Sequence, residues 1–126
     1  MKYMCLVYFK DGAFEGMSEA ELTQFADACI EEDIALERRG HLIQAGPLQG
    51  PESAVTVTRR NGKASRTDGP FGETKELIAG FVLLEARDMD EAIALSLESE
   101  AAKRGYFEIW PILEQSHSQT GARRPG

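Results

Sequence analysis

Asp33 is the residue whose position departs most from what packing alone would place there. With Leu22 as origin and a turn of roughly 100° per residue, it falls at about 20°, on the stripe made by Phe25, Ala26, Cys29 and Leu36. A carboxylate on such a stripe must be paired, protonated or returned to water, because burying it bare is costly. Either the helix tilts until Asp33 is solvated at the rim, or Asp33 lines a cavity and meets a partner such as His41, Arg66 or Lys75. A second cluster occupies the connection Thr67 to Glu76, where Asp68, Glu73 and Lys75 stand among two glycines, a proline and an aromatic ring. Two carboxylates beside a lysine can supply acid, base and electrostatic stabiliser to a small polar substrate if burial separates their pKa values. The same residues also fit a tight turn in which Asp68 caps backbone N–H groups and Glu73 and Lys75 are solvated. His41 could pair with Asp33 if the end of the helix folds back; alone at the start of a strand it would be structural or solvated.

The remaining chemistry is sparse. There is no Gly-rich phosphate loop, no G-x-S-x-G elbow, no H-E-x-x-H and no Cys/His cluster with metal spacing, so no cofactor or metal is expected. Fourteen basic against 21 acidic residues give a net charge of −7, which disfavours nucleic acid and anionic membrane surfaces as partners. Cys5 and Cys29 sit in apolar segments at no metal or redox spacing and read as buried thiols of a reducing compartment. The N-terminal apolar run is too short and too aromatic for a signal sequence, and no stretch reaches transmembrane length, so a cytoplasmic location is expected.

The elements that must position these groups follow from periodicity. Tyr3 to Phe9 is a continuous run of β-formers closed by Lys10-Asp11-Gly12. Ser18 and Glu21 have capping-box spacing and open a helix that runs to Gly40. A short strand, His41 to Gln49, precedes an alternating strand from Ala54 to Arg59, the hairpin signal Asn61-Gly62 and a returning arm from Ala64 to Thr67. Leu77 to Ala86 is an apolar strand interrupted by Gly80. Asp88 then caps a helix whose stripe is Met89, Ala92, Ile93, Leu97 and Ala101, with Leu95 off it. Tyr106 to Leu113 forms the last strand, which closes a single domain over residues 1–114; the tail 115–126 has little to bury and is expected to be disordered. Arg59, Arg60, Lys63 and Arg66 make the hairpin basic: a guard against edge pairing, or a dock for an anion or for a neighbouring subunit's acidic helix.

This order is a split βαβ arrangement: an α+β, ferredoxin-like βαββαβ fold with an inserted hairpin. Both helices then lie on one face of the sheet, and the first and third long strands do not alternate as a wet second face requires. The hairpin or a second copy of the chain covers that face. The second copy is the preferred arrangement, giving a homodimer with its sheets face to face.

The segment TDGPFGETKELIAGFVLLEARDMDEAIAL, with DGPF at Asp68 to Phe71 and ETKE at Glu73 to Glu76, resembles the DGPF branch of the YCII-related family of small bacterial proteins. The opening MKYMCLVYF, the GHLIQAGPL segment and the closing EIWPI are similar to that family's strands. The resemblance implies a dimeric ferredoxin-like α+β fold, a barrel-like assembly, and a site near the DGPF loop. It also implies a sigma factor as a regulatory partner. Two departures stand out: the family's usual Glu-Val-Arg-Pro is here Glu108-Ile109-Trp110-Pro111, an indole in place of a cation, and the only histidines are His41 and His117. Two functions therefore compete. One is a small-molecule enzyme or binder using Asp68, Glu73 and Lys75 with Asp33 and His41; the other is a non-catalytic interaction module in which DGPF is only a turn.

Overall fold

The computed structural model describes residues 1–70 and 76–126, and of Glu76 only the backbone. Its strands are β1 (Lys2–Lys10), β2 (Leu42–Pro47), β3 (Val55–Arg60), β4 (Lys63–Asp68), β5 (Glu76–Glu85) and β6 (Gly105–Pro111). Two α-helices, α1 (Glu19–Arg38) and α2 (Met89–Leu97), and two short 3-10 helices, Pro51–Ser53 and Glu100–Lys103, complete it. Four strands form one antiparallel sheet in the order β2-β5-β1-β6, the ferredoxin-like arrangement expected from the sequence.

Within β1, Tyr3, Cys5 and Val7 are buried while Met4, Leu6 and Tyr8 are only half-buried. Alternate side chains leave opposite faces of a strand, so one face of this sheet carries the core and the other is apolar yet only partly covered by the described residues. The core gathers Tyr3, Cys5, Leu84, Ala86, Ala92 and Leu95. Gly80 has a specific reason: a Cβ there would stand 2.8 Å from the carbonyl oxygen of Gly46, so the glycine lets β2 lie close against β5.

The capping box at Ser18 forms as its spacing predicts: the Ser18 hydroxyl accepts from the N–H of Glu21 at 3.1 Å, and the Glu21 carboxylate accepts from the N–H of Ser18. The second helix differs from its prediction. It ends at Leu97, and its inward face is Ala92, Leu95 and Ser96; Leu95 is 5% exposed and Leu97 72%. The expected stripe assumed an unbroken helix to Ala101, but the Ser99 hydroxyl accepts from the N–H of Ala101 and starts a separate 3-10 turn that buries Ala101 by another route.

The hairpin forms at Asn61-Gly62, both with positive φ as a two-residue turn requires. It makes its own two-stranded sheet and leaves the open face of the main sheet bare: Trp110 there is 56% exposed. The tail carries a bridge between Ser116 and Arg123 and is exposed throughout. Among the described residues, no helix is long and apolar enough to cross a membrane.

Candidate functional site

The helix α1 has no fully buried residue, and only Phe25, Ala28, Cys29, Glu32, Asp33 and Leu36 are partly withdrawn from solvent. It therefore rests on the sheet without closing onto it. Between them lies a cleft of about 290 Å³ walled by Val7, Phe9, Phe25, Cys29, Val82 and Phe107, with Ala45 and the backbone of Gly46 and Gly80 on the β2 side. A second cavity of about 220 Å³ lies next to it against Leu36, Leu84, Leu95 and Ser96. Both are lined by Glu32, Asp33, Ser99, Val82 and Phe107, which places the two carboxylates at the junction. Near one end of the cleft Phe9, Phe14 and Phe25 stack edge to face, and the Arg104 guanidinium lies over the Phe14 and Phe25 rings.

The two acids do different work. Glu32 is half-buried: it accepts from the N–H of Glu100 at 3.0 Å and from the Ser99 hydroxyl at 3.3 Å, and so ties α1 to the 3-10 helix after α2. Its angular position beside Phe25 and Leu36 is the sequence signal of that burial. Asp33 accepts no hydrogen bond from a side chain or backbone of the described residues. Burial, and then the Glu32 charge beside it, push its carboxyl above the usual range. An apolar cleft with one carboxyl that has no partner among the described residues can exchange a proton with a ligand or accept its polar edge.

His41 and Asp68 do not line this cleft. His41 joins three elements: its Nδ1–H donates to the Glu85 carbonyl at 2.9 Å, its backbone N–H to Leu36, and its carbonyl accepts from Glu85. The helix end is thereby fixed to β5, and the ring is engaged there. Asp68 lies exposed at the end of β4, 3.4 Å from the Arg66 guanidinium, while the adjoining Gly69 N–H donates to the Ala54 carbonyl. Glu73 and Lys75 lie outside the described residues. No group of three or more His, Cys, Asp or Glu that could hold a metal is present among the described residues.

Cys29 shares the cleft wall with Asp33, one helical turn away. Burial and the charges of Glu32, Asp33 and Glu100 push its thiol up to about 11. At pH 7.5 alkylation by iodoacetamide is expected to be slower than for a free cysteine by about two orders of magnitude, because thiolate is the reacting form. Mass spectrometry at Cys29 over a pH series checks this; labelling at the free-cysteine rate would show that the thiol is not held up.

The YCII-related domain family matches residues 1–116. The chain belongs to the YCII-related family. An uncharacterized protein of Rhizobium meliloti (strain 1021) is 30% identical over 121 residues, which span 89% of this chain and 92% of that one. Among solved structures, this YCII-related chain is similar to 5-chloro-2-hydroxyhydroquinone dehydrochlorinase (TftG) from Burkholderia phenoliruptrix AC1100, solved in complex with 2,5-dihydroxybenzoquinone. The match has a TM-score of 0.51 at 15% identity and covers 91% of this chain and 96% of that one. That likeness supports the fold.

Proposed function

We propose that this YCII-related protein binds, and as an enzyme acts on, a compact and mostly apolar ring compound bearing an ionisable oxygen, held in the cleft beneath α1. The observation that carries the reading is Asp33: a carboxyl with no hydrogen-bond partner among the described residues, on the wall of an apolar cleft. A cavity of about 290 Å³ suits one substituted ring, since a dry cavity near half that volume already takes benzene. As a neutral acid Asp33 donates to a carbonyl oxygen of the ligand; as a carboxylate it takes the proton of a phenol. The solved neighbour's dihydroxybenzoquinone is a compound of this size and type, in keeping with the same class here.

The test is a melting-shift panel of catechols, hydroquinones, hydroxybenzoates and benzoquinones, followed by Cys29 labelling. At least one member is expected to raise the melting temperature and shield Cys29, and Ala45→Phe, which fills the cleft, is expected to abolish both effects. If no member does both, or if Ala45→Phe binds as well as the native chain, the cleft is not the site.

A further inference from the structure

The ribbon formed by β3 and β4 pairs only with itself. A two-stranded ribbon is marginal in water unless something covers one of its faces. The register shows which face that is. Val55, Val57 and Arg59 share a face with Ala64, Arg66 and Asp68, whereas Thr56, Thr58, Arg60, Lys63, Ser65 and Thr67 share the other. The ribbon is thus amphipathic, with hydroxyl groups and two cations on one side and two valines flanked by arginines on the other. Val57, at its centre, is 73% exposed.

A surface of matching character runs along α1 from Ile30, at the rim of the cleft, to the outer side of the helix. Ile30 and Ile34 are 57% and 44% exposed and form one ridge at i, i+4 spacing. Asp27 and Glu31 form the next ridge at the same spacing. The two carboxylates are then about 6 Å apart along the helix, while Arg59 and Arg66 are diagonal neighbours about 7 Å apart on the ribbon. Valines would meet isoleucines as arginines meet carboxylates. Within one chain this match is not used: among the described residues no hydrogen bond or ion pair joins the ribbon to α1. The arginines instead hold weak, exposed partners, Arg66 the Asp68 carboxylate at 3.4 Å and Arg59 the Gly62 carbonyl at 3.2 Å.

We propose that the β3–β4 ribbon is an arm that docks on α1 of a second copy of this chain, through Val55 and Val57 against Ile30 and Ile34 and through Arg59 and Arg66 against Asp27 and Glu31. The arm then places one protomer directly over the helix that roofs the other's cleft, so the second copy bears on how far α1 stands off its sheet. Opposite charges across the contact set its register and make it weaken with salt.

The test mixes two differently tagged full-length chains in a Cys29→Ser background, Cys5 being buried, one carrying Val57→Cys and the other Ile34→Cys. Mild oxidation is expected to give a disulfide between the two tags. Adding Arg59→Glu and Arg66→Glu to the first chain should cut the yield at least about tenfold, and adding Asp27→Arg and Glu31→Arg to the second should restore it. Unchanged melting of each single chain shows that the fold is kept. No cross-link between the tags, a yield indifferent to the charge reversals, or a disulfide that closes only within one chain carrying both cysteines would each overturn the proposal.

Discussion

Asp33→Asn is expected to make the protein more stable at neutral pH and at the same time to remove its ligand response. Burial and the neighbouring Glu32 charge hold the Asp33 carboxyl above its ordinary value, so the folded chain keeps this proton to higher pH than the unfolded chain does. Between the ordinary carboxylate pKa, about 3.9, and the raised folded value, the native state binds more protons, and stability falls as pH rises through that window. Above it the penalty of an ionised, unpartnered carboxylate is fully present. Asparagine has the same shape and no charge, so the variant escapes that penalty. The gain at pH 7 is expected as a melting rise of a few degrees for a chain of this size. It should vanish below about pH 4, where aspartic acid is neutral in both states. Binding moves the opposite way: losing a charge-assisted hydrogen bond weakens the ligand by about ten- to a hundredfold. Melting curves from pH 3 to 8 with and without the ligand read both effects. A structural Asp33 would destabilise on substitution, and a variant that melts lower at pH 7 would refute its assignment to the site.

Asp33 was legible because a single helix decides its place: periodicity alone puts it on the inward stripe, and the structure puts it there. The capping box at Ser18 and the turn at Asn61-Gly62 were legible for the same local reason. The cleft was not. Its walls come from β1, α1, β2, β5 and β6, and no sequence spacing relates Phe9 to Phe25, Val82 and Phe107. His41 follows α1 directly in sequence, which suggested proximity to Asp33, but the ring turns instead to the Glu85 carbonyl. Sequence distance is a poor guide where a chain reverses from helix to strand. Leu95 and Leu97 exchanged roles because the end of α2 depends on Ser99, a cap that periodicity does not see.

The other large effect is expected on the far face of the sheet, where we propose that a second copy packs sheet to sheet. Met4, Leu6 and Tyr8 of β1 stand opposite Trp110, Glu108 and Tyr106 of β6, and Tyr8 stacks on Tyr106 at 5.0 Å. Glu108 is the one acid of this β6 row, and it is already furnished with donors: the Trp110 Nε1–H at 3.0 Å and the Tyr8 hydroxyl at 3.5 Å. Burial and the Glu108 charge hold the Tyr8 phenol above its usual range, so it remains a donor at every physiological pH. A carboxylate supplied in this way can be covered by a second sheet with less desolvation loss than a bare one. The native chain is then expected to sediment at twice its own mass at micromolar concentration. Leu6→Glu puts a second carboxylate directly opposite Glu108 at the middle of the face and should raise the dissociation constant about a thousandfold, equivalent to about 4 kcal/mol, with unchanged circular dichroism because Leu6 points away from the core. Trp110→Ala, nearer the rim, should cost about tenfold. A native chain that sediments as a monomer, or a Leu6→Glu variant that stays dimeric when it also carries Arg59→Glu and Arg66→Glu, would sink the arrangement. The ribbon arginines lie on another surface, so their reversal should leave this sheet interface intact while the α1 cross-link is lost, and the two variants together separate the two contacts.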